Sequence, residues 1–151
     1  MGQRLAMAEA ARLSLPAELE SLAVLRQFIV DAAVHGNCDA RAIADLVLAA
    51  TEAATNAILH GYRGQFGYLE AEVECEHDAL VVRLRDRAPA FDPRQVPTPD
   101  LAAPLEERTP GGLGVYLMRA LTDELVYRRT PAGENEITLI RRGACQATDG
   151  S

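Results

Sequence analysis

Glu52 and Asn56 stand four residues apart in a stretch whose apolar positions recur at helical spacing, so both side chains leave one face of a helix. A carboxylate beside an amide oxygen can take up a proton and hold a hard cation such as Mg2+. Asp45 and His60 fall roughly along the same line, and taken alone such a row is more often a solvated helix face. Asp86 closes a strand-like run and leads into Arg87-Ala88-Pro89-Ala90-Phe91-Asp92. A carboxylate there can accept a hydrogen bond from the amino group of an adenine, although Asp is also common wherever strands turn. Gly111-Gly112-Leu113-Gly114 precedes a third helical stretch. Small residues ahead of a helix let backbone amides approach an anion, and the helix N-terminus favours negative charge; a flexible loop end is the plain alternative. The run fails as a dinucleotide fingerprint, because no strand precedes it and Leu117 replaces the third small residue.

Composition narrows this chemistry. All 15 basic residues are Arg, which excludes a Walker A lysine, a lysine Schiff base and the strand lysine of ordinary protein kinases. Phosphate must then be handled by backbone amides, arginine and a metal. Against these stand 22 acids, giving a net charge of -7, the wrong sign for a protein that lives on nucleic-acid phosphate. Cys38, Cys75 and Cys145 are odd in number, widely separated and without a C-x-x-C pair, so neither a disulfide framework nor a zinc knuckle is expected. His35, His60 and His77 lack metal spacing, and charges interrupt the apolar stretches before about 18 residues. With no signal-peptide pattern at the start, the expectation is a soluble cytoplasmic protein with no membrane span.

The elements that must position these residues follow from periodicity and punctuation. Arg12 to Leu15 alternates as a short strand, and Pro16 opens a helix that Gly36 and Asn37 end. Asp39 caps a second helix running to a stop at Gly61. Tyr68 to Cys75 and Leu80 to Asp86 alternate as an antiparallel hairpin. Residues 87–110 hold prolines at 89, 93, 97, 99, 104 and 110 and no period, which marks a long loop. A third helix with Val115, Met118 and Leu121 follows, then a hairpin of Glu124 to Arg129 and Glu136 to Arg141 around Pro131 to Gly133. At 151 residues this makes one domain, taken as 10–142, with residues 1–9 and 143–151 as flexible tails.

The order and spacing of the three sites carry more than any one of them. Glu52-Ala-Ala-Thr-Asn56-Ala-Ile-Leu-His-Gly61-Tyr62, then Asp86 to Asp92, then Gly111 to Met118 resemble the anti-sigma-factor serine kinases of the RsbW type, within the GHKL or Bergerat-fold ATPases, over residues 10–142. The resemblance implies a two-layer α/β sandwich, with a mixed, mostly antiparallel sheet and the helices on one face. It implies ATP and Mg2+, with Asn56 holding the metal and Glu52 as general base. Asp86, Ala88 and Phe91 would lie at the adenine, Gly111, Gly112, Leu113, Gly114 and Val115 at the phosphates, Thr138 on a late strand near the adenine, and residues 92–110 in an ATP lid. The chain departs from the family's D-x-G-x-G-F pattern by placing Ala88 and Ala90 at both glycine positions. Where such a site needs positive φ or close backbone approach, the added methyl costs about 1 kcal/mol.

The implied activity is ATP-dependent phosphorylation of Ser or Thr on a small STAS-type antagonist protein, joined to sequestration of a sigma factor or comparable regulator, with a homodimer compatible with the family's habit. The competing reading is a non-catalytic partner-switching module with a degenerate nucleotide site. A histidine-kinase catalytic domain fits less well, since His35 sits inside the domain rather than on a preceding dimerisation helix.

Overall fold

The computed structural model describes residues 10–89 and 112–146. Strand β1 (Ala11–Pro16) is followed by helices α1 (Ser21–His35) and α2 (Ala40–Asn56), whose last turn passes into a π-helical segment, Ala57–Tyr62. Strands β2 (Tyr68–Glu76) and β3 (Ala79–Asp86) form a hairpin; helix α3 (Gly112–Ala120) and the strands β4 (Glu124–Arg129) and β5 (Asn135–Arg141) complete the set. The sheet runs β1-β2-β3-β5-β4. Every pairing among the described strands is antiparallel, in keeping with the mostly antiparallel sheet expected.

Strict alternation divides the sheet into two faces. Leu13 and Leu15, then Leu69, Ala71 and Val73, then Leu80, Val82 and Leu84, and finally Ile137 and Leu139 point toward the helices and belong to or pack against the core. The helices answer with Leu25, Ile29 and Ala33 of α1, Leu46, Ala49, Ala50, Ala53 and Ala54 of α2, and Val115 and Met118 of α3. The alanine stripe of α2 lets that helix lie close to the sheet and to α3. The opposite face is a ladder of charge. Arg85 binds Glu70 (3.0 Å), Glu72 (2.9 Å) and Glu136 (2.7 Å), Arg128 binds Glu136 (2.6 Å), and Arg12 and Arg83 engage Glu72 and Glu74.

With the π segment, the second helix spans Ala40–Tyr62, 23 residues with a mean hydropathy of 1.4 in its most apolar stretch, long and apolar enough by composition to cross a membrane. Half of that stretch is buried against the sheet and the other helices, the place of a core helix in this fold.

The three cysteines correct an expectation. Cys38 and Cys145 are joined by a disulfide across 107 residues of sequence, and Cys75 lies beside them. Local spacing rules find only sites made by one segment, whereas these thiols come from a helix junction, a strand and the segment after β5. That last segment does not fray over its first residues: Ala144 and Cys145 are buried, and their backbone amides both donate to the Asp78 carbonyl at 2.9 Å.

Candidate active site

Asp39 fixes the start of α2, its side chain accepting from the Ala42 amide at 2.8 Å. Thirteen residues on, Glu52 is part-exposed, and one turn later Asn56 is buried. Asn56 Nδ2 has no hydrogen-bond partner among the described residues. A buried amide without a partner is uncommon, and since its nitrogen and oxygen exchange by a flip of the side chain, the group is free to present either to a ligand. Asp45 and His60, predicted on the same line, do not join the site: Asp45 engages Arg141, and His60 is exposed.

Helix α3 begins at Gly112, so Gly112 and Gly114 lie in its first turn rather than in a loop ahead of it. That turn packs against α2 at the two side chains just described. A Cβ on Gly114 would come within 3.0 Å of Glu52 Oε2 and 3.9 Å of Asn56 Nδ2. Glycine lets the α3 backbone come this close without moving the carboxylate.

After Asn56 the backbone widens into the π segment, an irregularity that often marks functional sites. It ends with Arg63 in the left-handed region (φ 53°). Two contacts depend on this widening. Gly61 comes so near Ala88 that a Cβ there would lie 2.9 Å from the Ala88 methyl. The Tyr62 hydroxyl donates to the Tyr68 carbonyl at 2.9 Å and accepts from the Arg87 amide at 2.8 Å, tying the segment to the end of β3.

Asp86 ends β3 opposite Asn135 of β5. Its Oδ1 accepts from the Ala88 amide and from Asn135 Nδ2, both at 2.9 Å. Burial pushes the Asp86 carboxyl above its ordinary value; the hydrogen bonds from Asn135 and Ala88 and the charge of Arg129 oppose that push without cancelling it, and Glu134 adds to it. Asn135 also donates to the Ala88 carbonyl (3.0 Å) and accepts from the Tyr127 hydroxyl (2.7 Å) and from Arg129 (3.0 Å). Ala53, Asn56, Gly61, Asp86, Ala88, Met118, Asn135 and Ile137 are among the residues lining one cleft between the helices and the sheet.

Ala88 is buried and is not among the residues with positive φ, so this backbone accepts alanine without a left-handed conformation, and Gly61 makes room for its methyl. Thr138 requires a correction. It shares its face of β5 with Glu136, which pairs with Arg85 and Arg128 on the charged side of the sheet, whereas the cleft is lined by Asn135 and Ile137. A one-residue difference in a strand reverses the face, and Asn135, which sequence reasoning missed, is the residue of β5 that reaches Asp86. Its only sequence signal is a position in alternation with Ile137 and Leu139. Phe91, Gly111 and the expected lid over 92–110 lie outside the described residues, as do the tails 1–9 and 147–151.

A helix pair joined through glycine at a carboxylate and an amide, with a part-buried acid across the cleft on an antiparallel sheet, defines a nucleotide-binding domain of the GHKL type. The model of the histidine kinase-like ATPase domain family matches residues 15–141, and the chain belongs to that family. It is similar to serine-protein kinases RsbW: 28% identical over 121 residues to that of Bacillus cereus, covering 78% of this chain and 76% of the relative, and 30% identical over 118 residues to that of Listeria monocytogenes, covering 75% of each. Within the family it is an RsbW-type serine-protein kinase homologue. The solved structure of the RsbU and RsbW domains of a Mycobacterium tuberculosis protein shares the fold, with a TM-score of 0.61 at 20% identity over 92% of this chain. This chain spans 34% of that longer one.

Proposed function

We propose that the chain is an ATP-dependent serine/threonine protein kinase whose catalytic group is Glu52 and whose protein substrate is a small STAS-type antagonist, and that it also sequesters a sigma factor or comparable regulator in the cytoplasm. The observation that carries this reading is that Asn56, which meets Glu52 at the close approach of Gly114, lines the same cleft as the Asp86–Asn135 pair. Among the described residues Asp86 uses Oδ1 for both of its hydrogen bonds, which leaves Oδ2 to accept the adenine amino group. The donor set around Asn56, a carboxylate and an amide with a buried atom unpartnered among the described residues, fits Mg2+, with Asn56 as its protein ligand. Bound there, the ion would supply charge neutralisation of the phosphate oxygens. The first turn of α3 supplies backbone amides and the positive end of a helix for phosphate, in a chain that has no lysine for the purpose.

Glu52 takes the proton from the incoming Ser or Thr hydroxyl, and the glycine turn holds the phosphate against it. Replacing Glu52 by Gln keeps the shape and removes the base. The variant is expected to bind ATP and the antagonist as wild type does and to transfer phosphate about 10²–10⁴ times more slowly in single-turnover assays. Transfer at the wild-type rate would refute Glu52 as base. Absence of transfer by wild type to its cognate antagonist, with binding intact, would favour the non-catalytic switch.

A further inference from the structure

Three sulfurs from distant parts of the chain meet where α1 passes into α2. Cys38 follows Asn37, whose φ of 61° turns the chain at the end of α1. Cys145 faces it as an isolated antiparallel bridge. The flanking bonds, Asp39 amide to Ala144 carbonyl at 2.8 Å and Gln146 amide to Asn37 carbonyl at 3.1 Å, make Cys38 and Cys145 a non-hydrogen-bonded pair, the kind that brings side chains closest. Cys75, on the helix-facing side of β2, completes the group. Its Sγ is 3.5 Å from Cys38 Sγ and 3.5 Å from Cys145 Sγ, and a Cβ on Gly36 would collide with it. All three sulfurs lie within 4.8 Å of one another, and the Gly36 carbonyl is 3.9 Å from those of Cys38 and Cys75.

We propose that, once the Cys38–Cys145 bridge is opened, Cys38, Cys75 and Cys145 form a three-thiolate site for one thiophilic d10 metal ion. A zinc–sulfur bond of about 2.3 Å and tetrahedral angles place two thiolates roughly 3.8 Å apart, so the 3.5 Å separations from Cys75 need to relax by only a few tenths of an ångström. Opening the bridge lets the other two sulfurs separate to the same spacing. Each of the three thiols releases its proton to solvent as the metal binds, and a water or the Gly36 carbonyl is available for a fourth position. Bridge and metal exclude each other, because the bonded pair leaves Cys75 as the only thiol of the cluster. The site adjoins Asp39 at the start of α2, about 20 Å along the helix from Glu52, and is separate from the nucleotide cleft.

The test uses the full chain. A phosphine reductant converts the bridge to two thiols, taking the oxygen of water as it becomes phosphine oxide. After its removal under anaerobic conditions, Zn2+ is titrated against a chromophoric chelator, and Co2+ is added in parallel to read sulfur-to-metal charge transfer. The expected result is one equivalent bound by the reduced chain, no binding by the same chain with its bridge re-formed, and affinity lower by more than about tenfold in both Cys75→Ser and Cys38→Ser. The bridged wild type carries no substitution, so the comparison stands even where a serine variant folds poorly. Failure of the reduced wild type to retain Zn2+, equal retention by its bridged form, or undiminished affinity in a folded Cys75→Ser would overturn the proposal.

Discussion

Asp86 is held in an environment that does not suit its charge. Its folded-state pKa is raised, chiefly by burial, above the value of about 3.9 of an unfolded chain. The fold therefore favours the protonated acid, and ionisation at neutral pH works against stability. The carboxylate is thus better explained by a ligand than by the fold. Asp86→Asn keeps an oxygen for the hydrogen bonds from Ala88 and Asn135 and removes the part-buried charge. We expect the ligand-free variant to match wild type or exceed it by about 0.5–2 kcal/mol in denaturant unfolding. Adenine nucleotides should bind about 10–100 times more weakly by calorimetry, since an amide nitrogen then faces the adenine amino group. Unchanged ATP affinity would remove Asp86 from the adenine site.

At the scale of elements, the site is made by how α2 ends and how α3 begins. The π segment turns Gly61 and Tyr62 toward the end of β3, and the glycine turn lets α3 settle on Glu52. Gly114→Ala tests the second joint. Alanine improves the helix by about 0.5–1 kcal/mol, but its Cβ at 3.0 Å displaces the Glu52 carboxylate, which can swing aside. The fold should therefore hold to within about 1 kcal/mol, while phosphate transfer falls by about 10–100-fold through misplacement of the reacting groups. A variant that transfers phosphate at the wild-type rate would show that the close approach has no catalytic role.

At the scale of the molecule, the helix-free face is a second stabilising system beside the core. Burial alone would raise the Glu136 carboxyl, but hydrogen bonds from Arg128 and Arg85 outweigh it and hold the group below its ordinary value. A carboxylate with a depressed folded pKa stabilises fully above its unfolded value of about 4.3, and this contribution is lost as pH falls through the folded value. Denaturant unfolding of wild type and Glu136→Gln should differ by about 1.5–3 kcal/mol at neutral pH. The difference should shrink toward zero as the solution is acidified below about pH 4. A difference independent of pH would mean that Glu136 acts by packing and not by charge.

The sequence by itself determined the order of elements, the cap at Asp39 and both hairpins, and it singled out Glu52, Asn56 and Asp86 as candidates, because periodicity, turn residues and motif spacing are local properties of a chain. The face of β5 that meets the cleft was assigned through Thr138, one residue away from Asn135, because a side-chain period of two turns a single register step into the opposite side of the sheet. The π segment was also hidden, since its residues Ala57 to Tyr62 continue an ordinary helical pattern in composition. Only the tertiary structure decided that Gly114 would meet Glu52, that Asn135 would hold Asp86, and that Cys38, Cys75 and Cys145 would share one place. Each is a contact between segments distant in the chain, fixed by strand pairing and helix packing, and no window of residues along the sequence contains both partners.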